Sequence, residues 1–170
     1  VITGKTAFSF PQVLKLVMAG LLLPVFIVGV LSGCSALSKA GTKNPPVKEI
    51  EEKIKQAVDI SNLKAGNYVK LKQLYGISRG EIEEFVLYRA PSNIKADEIL
   101  LIKVKDASSV NGVKEKILKR AEKQAASFRD YLPEEYFLIE KKEILVKNNY
   151  ILFAISKDAQ KIANVFEECF

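Results

Sequence analysis

Histidine and tryptophan are absent from this 170-residue chain, methionine occurs once and cysteine twice. Without histidine the chain lacks the commonest general base and the commonest metal ligand. Two cysteines cannot build the Cys/His clusters that hold structural zinc, and they cannot staple a small domain that has no core of its own. No glycine-rich phosphate loop stands anywhere in the sequence. Charge of neither sign is collected in one place: the net charge is +6, with acids and bases interspersed in most windows. That pattern is a solvated surface, not the basic stripe of a nucleic-acid binder. These gaps point away from cofactor, metal and histidine-based chemistry; the reading is no cofactor, no metal and no nucleic acid.

What is present begins with a long apolar run. Leu16–Gly33 carries no charge and follows Lys5 and Lys15. Basic residues, an apolar core and small residues at its end are the pattern of a secretory signal. The run closes on Leu31-Ser32-Gly33-Cys34, which resembles the lipobox of bacterial lipoproteins. That resemblance implies cleavage before Cys34 and a diacylglyceryl thioether on its sulfur, with residues 1–33 as signal peptide. Two or more acyl chains anchor a protein stably, at about 0.8 kcal/mol per buried methylene. An uncleaved membrane span is the competing reading, since about 17–25 apolar residues suffice to cross a bilayer. Pro24 in mid-run argues against a straight helix, and lysines on both flanks give no clear orientation.

Residues 34–46 are small and polar, ending in Pro45-Pro46, and read as a flexible tether. Residues 47–170 have the length of one domain with one core. Val47, Ile50, Ile54, Ala57 and Val58 recur at helical spacing, so a first helix is expected over Val47–Ile60. Tyr68–Tyr75 is a second helix, with Asn67 to cap its start and Gly76 to end it. Ser78 and Glu81 have capping-box spacing, but the following composition is that of a strand, Glu83–Arg89. After Pro91-Ser92-Asn93 a second strand, Ala96–Lys105, places Leu100, Ile102 and Val104 on one face. Ile99, Leu101, Lys103 and Lys105 fall on the other, which suggests a half-buried strand. Val110, Val113, Ile117, Ala121, Ala125 and Phe128 then mark a long helix over Ser109–Tyr131. Glu134–Lys141 has no clear period. Glu143–Lys147 and Tyr150–Ser156 form a hairpin around Asn148-Asn149, and Ala159, Ile162, Ala163, Phe166 and Phe170 stripe a last helix behind Asp158. The expected fold is therefore α+β: a four-stranded, mainly antiparallel sheet in ββαββα order, covered by helices on one face and preceded by two N-terminal helices.

Three groups of residues are candidates for function. Asp97 and Glu98 are neighbours at a strand start; on a strand they point to opposite faces, which suits a surface ion pair with Arg89 better than paired-carboxylate catalysis. Tyr131, Glu134, Glu135 and Tyr136 make an acidic-aromatic corner after the long helix, where a sugar or peptide could stack, or where both rings simply pack on the sheet edge. Arg89, one of four arginines, stands just before the Pro91 loop and is the foremost candidate for a ligand contact. Cys169 reads as a small apolar residue of the last helix.

Leu74-Tyr75-Gly76-Ile77, Ala96-Asp97-Glu98-Ile99, Tyr131-Leu132-Pro133-Glu134 with Tyr136, and Asn149-Tyr150-Ile151-Leu152 follow one another from about residue 47 to the end of the chain. In that order and spacing the chain resembles an uncharacterised family of bacterial cell-envelope lipoproteins, a domain of unknown function. The resemblance implies a lipid-anchored α+β domain on the extracytoplasmic face of the membrane. It implies no catalytic residue. The expected role is a non-catalytic module that binds an envelope protein or a cell-wall component. An accessory subunit of a transporter is the alternative, and a histidine-free carboxylate hydrolase comes last.

Overall fold

The computed structural model describes residues 43–170. The apolar run, Cys34 and most of the expected tether lie outside the described residues. Helix α1 (Val47–Ala57) buries Val47, Ile50 and Ile54, one residue per turn. A two-residue strand, β1 (Lys64–Ala65), leads to helix α2 (Tyr68–Tyr75). Asn67 caps that helix by accepting the Lys70 amide at 3.0 Å, and Gly76 ends it in the left-handed region at φ 67°. Next come β2 (Ile82–Arg89) and β3 (Glu98–Val104). A 3-10 turn over Ala107–Ser109 opens the long helix α3 (Val110–Phe128). Helix α4 (Pro133–Glu140), the hairpin β4 (Glu143–Lys147) and β5 (Tyr150–Ile155), and helix α5 (Ala159–Glu167) complete the order.

The strands form one antiparallel sheet in the order β1-β2-β3-β5-β4. It has five strands, not the four expected. The extra one, β1, is two residues long and lacks the alternating apolar pattern that marks a strand in sequence, and it exists because Lys64 and Ala65 pair with Arg89 and Tyr88. Helices also cover both faces, not one. On one side α2, α3 and α4 pack Leu71, Ile117 and Ile139 against Leu87, Leu100, Ile102 and Phe153. On the other, α1 and α5 pack Ile50, Ile54, Ile162 and Phe166 against Ile99, Leu101 and Leu152. The central strands β3 and β5 are consequently buried at every residue. The expectation of a half-wet β3 fails at Lys103, which is buried along the strand while its ammonium reaches Glu83 at 2.8 Å and stands 5.7 Å from the centre of the Tyr150 ring. Buried on both faces, such strands become nearly continuous apolar runs, as ILLI and YILFAI are here.

The long helix is shorter than its pattern suggests, and α4 fills the stretch that carried no period. Pro133 does not merely end α3. It occupies the first turn of α4, where a missing N–H costs nothing. The Ser78–Glu81 spacing closes a turn and starts no helix: Glu81 accepts both the amide and the hydroxyl of Ser78. The end of the expected tether is held to the domain, with the buried Tyr150 hydroxyl 2.6 Å from Asn44 Oδ1 and 2.7 Å from the Pro45 carbonyl. No helix among the described residues is long and apolar enough to cross a membrane.

Candidate functional site

The polar chemistry of the domain concentrates where β2 runs out and β3 begins. Arg89 and Glu98 are direct antiparallel partners, and the loop between them is closed by the Ala90 amide donating to the Asp97 carbonyl at 2.8 Å. Opposed residues of an antiparallel pair share a face. Both side chains therefore stand on the α3 side, one step beyond the buried Leu87–Leu100 pair.

Glu98 is 1% exposed and is the most buried acid of the domain. The expectation of a surface pair with Arg89 fails: Glu98 is inside, and its partner is Arg120 of α3. Arg120 Nη2 donates to Oε2 at 2.6 Å and Nε to Oε1 at 3.2 Å. The Tyr75 hydroxyl of α2 donates to the same carboxylate. Burial and the Glu98 charge push the Tyr75 pKa well above its ordinary value, so it stays a donor. Three elements thus converge on one carboxylate, which a buried charge requires. Helical spacing could have flagged Arg120, which lies one residue off the Val113–Ile117–Ala121 stripe. Nothing in the sequence singles out its partner.

Because Glu98 is occupied, Arg89 is left without an ion-pair partner among the described residues. Its guanidinium donates to the Ala90 carbonyl at 3.3 Å. Arg89 forms the wall between two hollows. One, of about 370 Å³, is lined by Ser92, Asn93, Lys95, Asp97, Arg120 and Gln124 among others. The second, of about 340 Å³, is lined by Lys64, Lys70 and the Ala65–Asn67 backbone and contains no acid.

The loop above this site is gripped at one residue, Ala96. The Ala96 amide donates to Glu135 Oε2 of α4 at 2.8 Å, and its carbonyl accepts Gln124 Nε2 of α3 at 2.9 Å. Lys95 Nζ bonds the other Glu135 oxygen at 2.6 Å. The Gln124 Oε1 atom is buried with no partner. Asp97 is half-buried in the same wall, and burial, reinforced by the Glu135 charge, pushes its carboxyl up. A third hollow, of about 420 Å³, lies on the far side of the loop between Asp59, Asp97, Lys157 and Asp158.

The acidic-aromatic corner does not assemble. Tyr131 is 83% exposed, so the expectation that both rings pack on the sheet edge holds only for Tyr136, which lies partly buried against the core with Arg129 over its ring. Glu134 faces water, whereas Glu135 is 4% exposed and structural. Cys169 is buried at the end of the chain, its thiol 3.2 Å from the Val165 carbonyl.

Two nucleophile-like spacings in the chain lack the geometry of a nucleophile. Gly76-Ile77-Ser78-Arg79-Gly80 has the Gly-x-Ser-x-Gly form, but it joins a helix to a strand, the reverse of a nucleophile elbow, and Ser78 Oγ is bound to Glu81. Ser92 and Lys95 have Ser-x-x-Lys spacing and both line the cleft. Glu135 raises the Lys95 pKa, so this amine is not poised as a base, and Ser92 Oγ accepts the Ile94 amide. Among the described residues no group of three or more acids and cysteines is placed to hold a metal ion.

Helices on both faces of the sheet make three layers, and the cleft beside Arg89 is lined largely by charged and polar side chains. The chain belongs to the family described as Domain of unknown function (DUF4358), whose sequence model matches residues 47–156. The match takes in the whole sheet and every residue of the Arg89 site. No curated protein and no solved structure matches the chain.

Proposed function

We propose that this chain is a lipid-anchored module of the bacterial envelope, held through Cys34 on the extracytoplasmic face, that binds an anionic group of an envelope protein or cell-wall component at Arg89 and carries out no catalysis. The observation that carries the binding site is Arg89 itself. It is a half-buried arginine with no ion-pair partner among the described residues, and it separates two hollows that also present Lys64, Lys70, Lys95 and Arg120. A guanidinium recognises a carboxylate or phosphate through two parallel hydrogen bonds, and a partly desolvated one does so with more gain than a surface lysine. The Leu31–Cys34 motif supports the anchor, and the position of the tether ahead of the domain supports its display away from the membrane.

Two experiments test the two halves. Metabolic labelling with a tagged fatty acid should mark the wild type and not Cys34→Ala, which should also keep its leader; normal processing of that variant removes the anchor. In-cell cross-linking followed by mass spectrometry should recover a stoichiometric envelope partner from the wild type and much less from Arg89→Ala. Equal recovery from both removes the binding site. The transporter-accessory reading would show as a permease among the recovered partners.

A further inference from the structure

Strand β4 is the last strand of the sheet, and among the described residues nothing pairs with its outer side. Edge strands are usually blunted, because a row of free amides and carbonyls recruits other strands. This one is five residues long, Glu143-Ile144-Leu145-Val146-Lys147, without proline or bulge against β5. It has an acid at one end, a base at the other and three apolar residues between. Read against itself in the antiparallel direction, the segment is self-complementary.

The hydrogen-bond phase agrees. The β4–β5 hairpin turns through Asn148, at φ 52°, and Asn149, with Lys147 opposite Tyr150. A two-residue turn makes its flanking pair the hydrogen-bonded one, and bonded and non-bonded pairs alternate from there. Lys147, Leu145 and Glu143 therefore spend their amides and carbonyls on β5. Ile144 and Val146 direct theirs outward. A second β4 placed about a two-fold axis at Leu145 sets Ile144 opposite Val146 of the other copy, and the free groups of each meet the free groups of the other. In the same register Glu143 faces Lys147 of the second copy in a non-bonded pair, where side chains come closest. The side chains sort correctly as well. Leu145 belongs to the α1/α5 face, Ile144 to the α3 face, so like meets like on both sides. Val146 is 37% exposed, and Lys147 is held only by a 3.8 Å approach to Glu167.

We infer that two copies of this chain pair through β4, antiparallel about Leu145, to make one continuous sheet. This surface lies at the opposite edge of the sheet from β1 and Arg89 and stands independently of the proposed binding role.

The test is disulfide trapping of the full chain in native membranes, in a Cys169→Ala background. Non-bonded antiparallel partners have Cα atoms about 4.5 Å apart, within disulfide reach. Leu145→Cys should give a dimer-sized band under mild oxidation. Val146→Cys should give severalfold less, because its copies lie about 8 Å apart, two residues out of step. Glu143→Lys, added to Leu145→Cys, sets lysine against Lys147 and should suppress the band. Adding Lys147→Glu as well should restore it, which no folding defect could do. No dimer from Leu145→Cys, equal trapping at 145 and 146, or a band indifferent to the charge exchange would each overturn the pairing.

Discussion

Replacing Arg120 by methionine should be among the most damaging single changes to the domain. The variant keeps the volume of the side-chain stem and removes the guanidinium from Glu98, whose side chain is 2% exposed against 17% for the arginine. Glu98 then retains the Tyr75 hydroxyl as its one described donor. Removing one partner of a buried ion pair costs about 3–5 kcal/mol, because the remaining charge stays desolvated. Against the roughly 5–15 kcal/mol that holds an ordinary domain together, that is about a fifth of the total or more. Urea unfolding at neutral pH, followed by circular dichroism, measures it. Exchanging the whole cluster (Tyr75→Phe, Glu98→Leu and Arg120→Met together) should recover most of the loss, since apolar residues of similar volume need no compensating charge. An Arg120→Met loss below about 1 kcal/mol, the scale of an exposed ion pair, would refute the buried-network account.

Three further outcomes follow from the structure. The Glu81 carboxyl, held by Lys116 and against the cost of partial burial, is drawn down from 4.5 to about 2. Its contribution to stability is complete above pH 4.5 and is lost as pH falls from there towards 2, so the gap in urea midpoint between wild type and Glu81→Gln should close over that window. Glu135→Ala removes the acceptor of the Ala96 amide and of Lys95; it should cost about 1–3 kcal/mol and speed hydrogen exchange at Ala96, while exchange at Leu101 in mid-sheet quickens only as far as global stability falls. Gly66→Ala places a methyl 2.6 Å from Leu87 Cδ2; it should destabilise by about 1–3 kcal/mol in thermal unfolding, and by less in a Leu87→Ala background.

The elements that were legible in sequence are those whose burial is periodic. Asn67 and Gly76 bracket α2 as their chemistry requires, the β4 limits are Glu143 and Lys147 as expected, and the α3 and α5 stripes are the ones that pack. What escaped depends on distant partners. Strand β1 carries no pattern of its own and is created by β2. Helix α4 hides its face because Glu135, a buried acid, sits where an apolar residue would announce a stripe. The second covered face could not be inferred from β3 and β5, since an apolar run fits burial on both sides but also fits a buried helix segment. At the site, Arg89 was visible from its place before a proline loop. The role of Glu98 was not, because its alternation was read as a strand end in water. Only the convergence of Tyr75, Glu98 and Arg120, from elements spread over residues 68–128, shows that Arg89 has no ion-pair partner among the described residues.

The most direct test of the binding account is site-specific photo-cross-linking in living cells from position 93, in the cleft rim, compared with Lys161→photoprobe on α5. The account predicts a discrete envelope adduct from Asn93→photoprobe, strongly reduced by Arg89→Ala and by excess of an anionic competitor, and no such adduct from the α5 position. An adduct of equal yield with and without the arginine, or one formed only from α5, would contradict it.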